Sequence, residues 1–209
     1  MTKSIYFIRH GETEYNKLGI VQGSGVDSEL NTTGRAQAQA FYDHYQDVDF
    51  QLVIASALQR THQTVEPFLE KRKLPFETTP LINEINWGIH EGQKYEPSMK
   101  DAYQNMINEW SIGNFDVSLE QGESARSLAD RLQQFLDQLV QREEDKILVC
   151  THGRTLRCLM CLIKGQHLRE MENYSHNNTG LYQTKWINPN FEVILENDIS
   201  HLNSIGLHS

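Results

Sequence analysis

The sequence predicts an α/β fold, a mainly parallel sheet with helices on both faces. Three observations carry that expectation. Short apolar runs, Ile5-Tyr6-Phe7-Ile8 and Ile147-Leu148-Val149-Cys150, read as strands buried on both faces. Amphipathic stretches at helical spacing alternate with these runs, the rhythm of a parallel sheet covered by helices. The rhythm breaks over residues 83–121, a mainly polar, partly helical stretch that reads as an insertion.

Taken in order, residues 4–9 form the first strand. The polar, glycine-containing stretch 11–33 is expected to be a loop, long enough for a compact domain that it suggests function. Thr32 or Thr33 is placed to cap a helix reaching Tyr45, with Ala36, Ala40, Phe41 and Tyr45 near one face. Residues 51–55 make a second strand, Ser56 is positioned to cap a helix over 58–71, and 75–79 resemble a short strand. Gly122-Glu123-Ser124 precedes a long helix, 125–142, with Leu128, Leu132, Phe135, Leu136 and Leu139 at helical spacing. Residues 146–151 form another strand, followed by an apolar helix over 154–164 that Gly165 ends. The alternating segments 180–187 and 191–196, parted by Asn188-Pro189-Asn190, read as a C-terminal antiparallel hairpin. The whole, 1–209, is expected to be one domain carrying a cap-like insertion at 83–121.

Bulk properties remove several classes of function. A formal net charge of −9 without a basic tract makes nucleic acid and anionic membrane poor partners. No apolar run approaches the roughly 20 residues of a membrane span. The first strand begins too early to leave room for a signal peptide, and 3 cysteines give no disulfide framework. A cytoplasmic location is expected. Cys158 and Cys161 have redox-motif spacing, but they fall in the second turn of an apolar helix and read as core.

The chemistry concentrates where strands end. Arg9-His10-Gly11-Glu12 follows the first apolar run and His152-Gly153 follows the later one. In open α/β sheets, ligands bind at the carboxyl ends of the strands. A lone histidine there is usually structural. Two of them at strand–glycine junctions, one beside an arginine, favour phosphate chemistry instead. Neutral imidazole is a nucleophile that can leave again, and Arg9 offers His10 a guanidinium fork for phosphate oxygens while opposing its protonation. Gly11 permits close approach of backbone to ligand. His152 and Gly153 open a helix whose free N–H groups favour an anion. Arg60, in the first turn after Ser56, can point over the same edge. Glu84 is the expected general acid, because a neighbouring phosphate favours its protonated form. Two histidines and a carboxylate also make a metal-ligand set, but adjacent arginines disfavour another cation. No metal and no cofactor are expected.

These residues resemble the histidine phosphatase superfamily, with its phosphoglycerate-mutase-like fold. Arg9-His10-Gly11-Glu12-Thr13, with Asn16 beyond it, looks like the family signature. The likeness runs on through Gln22-Gly23, Asp27, Leu30, Thr33-Gly34 and 56–61. It continues through Glu84, Gly88, Glu91-Gly92 and Thr151-His152-Gly153, all in the family's order. The resemblance implies that His10 is phosphorylated with His152 opposite it, that Arg9 and Arg60 clamp the phosphoryl group, and that Glu84 donates a proton. It also implies that Asn16 and the neighbouring loop help hold phosphate, with Gln22, Gly23 and Gly153 in the binding set. No metal takes part in such a mechanism.

After Glu84, the basic side chains that hold a carboxylate in glycolytic mutases are sparse, with only Lys94 and Lys100 up to Arg126. The stretch looks more like small phosphatases such as α-ribazole phosphatase and fructose-2,6-bisphosphatase-like enzymes. Arg154 is an unusual residue after His152-Gly153. With Lys94 and Lys100, it is either solvated or within reach of substrate. The insertion's Trp87, Tyr95, Tyr103 and Trp110 either wall a substrate pocket or form a small core. The expected activity is hydrolysis of a small phosphorylated metabolite. A cofactor-dependent phosphoglycerate mutase is the alternative with the same chemistry, and a catalytically weak phospho-ligand or phosphoprotein binding module is the alternative from another class.

Overall fold

A computed structural model of the chain describes residues 2–207. Strand β1 (Thr2–Arg9) is followed by a short helix α1 (Glu14–Leu18), α2 (Thr32–Tyr45), β2 (Leu52–Ser56), α3 (Gln59–Arg72) and β3 (Phe76–Thr79). Then come α4 (Pro97–Ser111), α5 (Ala125–Val140), β4 (Lys146–Thr151), α6 (Gly153–Ile163), β5 (Leu181–Ile187) and β6 (Asn190–Asp198). The sheet order is β3-β2-β4-β1-β5-β6. Pairings among β1, β2, β3 and β4 are parallel, while β5 joins β1 and β6 antiparallel.

Period-two alternation splits the core between the two faces of this sheet. Ile5, Phe7, Leu52, Ile54, Ile147 and Val149 face α5 and α6, whereas Tyr6, Ile8, Val53, Ala55, Leu148 and Cys150 face the aromatics of α2 and α3. Both layers are buried, which is why β1, β2 and β4 read as unbroken apolar runs. The antiparallel hairpin closes one side of the sheet, so its strands show the alternating burial of half-covered elements.

Several local expectations change. The 11–33 stretch holds α1, closed by a capping box in which the Thr13 and Asn16 side chains each satisfy the other's backbone N–H. Helix α2 is capped by Asn31, which accepts from Gly34 N at 2.8 Å, and neither Thr32 nor Thr33 caps it. Ala36 faces solvent, and Ala38 takes its place in the core. Ser56 does not cap α3; the N-cap residue is Leu58, without a side-chain bond. The cysteines are buried and free, as expected of core residues.

Residues 83–121 do not build a separate core. Ile85, Trp87, Met99, Met106, Trp110, Phe115 and Leu119 are continuous with the layer beneath α5 and α6. That continuity anchors α4 to the main body.

Candidate active site

In-register parallel pairing sets the site. Arg9 at the end of β1 lies opposite Thr151 at the end of β4, and β2 flanks β4 with Ala55 opposite Cys150. His10, Ser56 and His152 therefore emerge side by side. The ring centroids of His10 and His152 are 5.2 Å apart, and the side chains are almost sealed, at 3% and 0% exposure.

Donors and acceptors assign each ring its protons. His10 Nδ1 lies 2.7 Å from the Gly11 carbonyl, which can only accept, so Nδ1 carries the proton and Nε2 keeps a free lone pair. His152 Nδ1 accepts from Arg60 Nε at 3.2 Å, leaving its Nε2 to donate to Ser56 Oγ at 2.8 Å. Burial, reinforced by Arg60 and Arg9, holds His10 well below the ordinary histidine range; the Gly11 carbonyl opposes the shift without reversing it. Burial and then Arg60 do the same for His152. Both are neutral imidazoles.

Backbone packing fixes the loop that carries His10. Gly11 N donates to Thr64 Oγ1 at 2.9 Å. A Cβ on Gly11 would sit 2.6 Å from the Gly34 carbonyl oxygen, so only glycine lets the loop touch the first turn of α2. Glu84 is held from the opposite side. Its carboxylate oxygens accept from Arg154 N at 3.1 Å and Thr155 N at 3.0 Å, the free N–H groups of the α6 N-terminus.

A cavity of about 300 Å³ opens beside these groups, lined by Arg9, Gln22, Glu84, Gly153 and His176 together with Val21, Trp87, Tyr95, Met99, Tyr103 and Arg154. A larger groove, about 540 Å³, lies between α5, α6 and the hairpin, away from both histidines. Two donors on the cavity's lining residues, Arg9 Nε and Gln22 Nε2, are buried without a protein partner. Unpartnered buried donors are costly unless something accepts from them, and an anion would.

The predicted residues thus divide. Arg9, Gln22, Glu84 and Gly153 border the cavity. His10, His152 and Arg60 form a contiguous buried cluster just outside its lining. Arg60 is fully buried, and its Nη1 and Nη2 donate to the carbonyls of Val26 and Gly23. Asn16 accepts from Thr13 N and Thr13 Oγ1, and neither it nor Gly23 lines the cavity. Trp87, Tyr95 and Tyr103 are wall residues, but Trp110 is core and donates through Nε1 to the Val117 carbonyl. Arg154 lines the cavity, whereas Lys94 and Lys100 are exposed and lie outside its lining.

Sequence reasoning missed His176 and Ser56. The His176 carbonyl accepts from Arg9 Nη1 at 2.7 Å, and its ring lies against Gly153, where a Cβ would meet Nδ1 at 3.1 Å. Burial and Arg9 push its pKa down to about 3. Only the polar run Ser175-His176-Asn177-Asn178 marks this segment, and nothing local in it points to Arg9. Among the described residues, no group of three or more His, Cys, Asp or Glu side chains is arranged to hold a metal.

Comparison with known proteins gives the chain's family and fold. A Proteus mirabilis protein named a probable phosphoglycerate mutase is 28% identical over 97% of this chain and 96% of its own. A Schizosaccharomyces pombe protein named a probable phosphatase is 29% identical over 97% and 92%. Among solved structures, α-ribazole phosphatase from Shigella flexneri superposes with a TM-score of 0.82 at 24% identity, covering 93% of this chain and 96% of that one. A phosphoserine phosphatase variant from Entamoeba histolytica, solved with phosphoserine, gives 0.81 at 23% identity, over 96% and 99%. These structural likenesses show the fold. The profile of the histidine phosphatase superfamily, branch 1, matches residues 5–199, and the chain belongs to that superfamily.

Proposed function

We propose that the protein is a metal-independent phosphomonoesterase that works through a phosphohistidine on His10. One observation carries the reading: an imidazole kept neutral by burial and two arginines, with Nδ1 tied to Gly11 and the Nε2 lone pair free. The Nε2 lone pair attacks phosphorus as the ester P–O bond breaks. Glu84, entering as the carboxylic acid, gives its proton to the leaving alcohol oxygen. Water then attacks the phosphohistidine, Glu84 takes the water's proton, and the P–N bonding pair returns to Nε2 as inorganic phosphate departs. Arg9 and Arg60 stabilise charge on the equatorial oxygens. His152 lies opposite His10, and Gln22, Asn16, Gly23 and Gly153 complete the cradle. The unpartnered donors of Arg9 and Gln22 support that assignment.

In this reading, 83–121 is a cap on one domain that selects substrate and supplies Glu84. Its aromatic lining and exposed lysines favour hydrolysis of a small phosphorylated metabolite over mutase activity. The buried, unpaired cysteines suit the cytoplasm, and among the described residues no helix is long and apolar enough to cross a membrane.

Brief mixing with p-nitrophenyl phosphate after exhaustive chelation tests the mechanism. The expected product is an acid-labile, alkali-stable phosphoenzyme that His10→Ala cannot form. Label on serine or aspartate, or activity restored only by a divalent ion, would overturn it. Incubation with 3-phosphoglycerate and its bisphosphate should release phosphate; efficient 2-phosphoglycerate formation instead would make the protein a mutase.

A further inference from the structure

The cavity has two chemically different ends. Arg9, Gln22, Gly153 and His176 gather at the phosphate end. Val21, Trp87, Tyr95, Met99 and Tyr103 form an apolar and aromatic wall at the other, with Tyr95 and Tyr103 edge-to-face at 6.1 Å and Trp87 tilted against Tyr103 at 5.6 Å. Among the described lining residues, the cation packed against this aromatic wall is Arg154. Its backbone N–H donates to Glu84, and its guanidinium lies beside the wall residues Trp87 and Tyr103.

Arg154 is already engaged. Its side chain is 5% exposed, and Nη1 is paired with Glu172. Nη2 donates to Tyr103 Oη. Its guanidinium carbon lies 5.7–5.9 Å from the ring centroids of Trp87, Tyr103 and Trp110. Glu172 also takes Arg157 Nη1. A substrate carboxylate would have to displace Glu172 from its pair with the buried Arg154 guanidinium and desolvate itself, exchanging one ion pair for another with no net gain. An uncharged ring faces no such cost and gains contact with the aromatic wall.

We infer that Glu172 sets the substrate class of this site. By sequestering Arg154 it denies the cavity a carboxylate anchor and reserves it for phosphate monoesters whose leaving group carries an uncharged ring. The inference rests on the phosphatase reading. Glu172 acts through Arg154 and is a positioning residue, not a catalytic one.

Two esters of primary alcohols, 2-phenylethyl phosphate and 3-phosphoglycerate, present similar leaving groups and differ in ring and charge. The wild-type protein should prefer the phenylethyl ester at least tenfold in kcat/KM. Glu172→Gln should shift the ratio at least fivefold towards 3-phosphoglycerate, and adding Arg154→Met should cancel that shift. Independently, Tyr95→Ala, at a residue 45% exposed, should lower the phenylethyl preference severalfold. A wild-type preference for 3-phosphoglycerate, or an unchanged ratio in Glu172→Gln, overturns the inference. Should Glu172→Gln not fold, the wild-type ratio and Tyr95→Ala decide. Phosphoenzyme formation from p-nitrophenyl phosphate, measured in parallel, separates the failures. Labelled His10 with the wrong ratio refutes this inference alone; unlabelled His10 refutes the phosphatase reading and this inference with it.

Discussion

The proposed nucleophilic role of His10 rests on two local facts, a carbonyl that fixes its tautomer and surroundings that reject a proton. Burial contributes most to the second, with Arg60 and Arg9 behind it. The imidazole should consequently remain neutral well below pH 6.5, the ordinary midpoint of a free histidine (about 6.5). Nuclear magnetic resonance titration of the His10 ring is expected to show no midpoint near that value, and one at or above it would remove the basis for the nucleophile. In the proposed mechanism Arg9 has a separate duty to phosphate oxygens, for which a planar fork is suited and an ammonium is not. Arg9→Lys should therefore leave His10 neutral yet lower kcat/KM about tenfold to a hundredfold, the worth of one charged hydrogen bond. Equal kcat/KM in the two proteins would mean that charge alone is used.

Helix α6 and residue Glu84 depend on one another. The carboxylate accepts from Arg154 N, Thr155 N and Thr155 Oγ1, so it closes the helix start that His152 leaves without a side-chain cap. Glu84→Ala should destabilise the fold by about 1 kcal/mol, as loss of a cap does. Glu84→Gln keeps one accepting oxygen and should unfold closer to wild type. Both should turn over alkyl phosphates far more slowly, with p-nitrophenyl phosphate less affected because its oxygen leaves without a proton. Thermal melts and a leaving-group series check the two effects separately; equal losses for all esters would reduce Glu84 to a structural cap.

The same element shows what a sequence reveals. The apolar runs, the His-Gly junctions and the place of Glu84 beside the cavity were legible because strand ends and helix starts are encoded within a few neighbouring residues. Asn31 displaced Thr32 and Thr33 as a cap by a single position, a distinction local pattern does not draw. Ser56 looked like a cap because nothing nearby shows that His152, 96 positions away, takes its hydroxyl. His176 and Glu172 were silent for the same reason, since Arg9 and Arg154 reach them only after the sheet and α6 are assembled.

Across the whole molecule, neutral buried histidines link stability to pH. His10 and His152 lie well below their ordinary value, His176 is pushed down to about 3 by burial and Arg9, and His201 to about 4, chiefly by burial. Each is depressed in the folded state relative to roughly 6.5 in the unfolded chain. The unfolded chain therefore binds protons first as pH falls. The stabilisation is fully present above about pH 6.5 and is lost progressively below it, by up to about 1.4 kcal/mol per pH unit for each group. Carboxylates enter later. Glu144, held low by its bond to Arg142, adds its loss only below about pH 4.3, the ordinary glutamate midpoint. The interval from pH 6.5 to 4.5 thus belongs to the histidines, and the urea midpoint should drop steeply through it. His201 sits apart from the cavity, with its Nδ1 unpartnered and its Nε2 on Thr179. His201→Leu should flatten that slope by one group's share while leaving the phosphoenzyme able to form. A midpoint unchanged between pH 7 and 5 in the wild-type protein would show that these rings accept protons in place, and the neutral nucleophile would go with them.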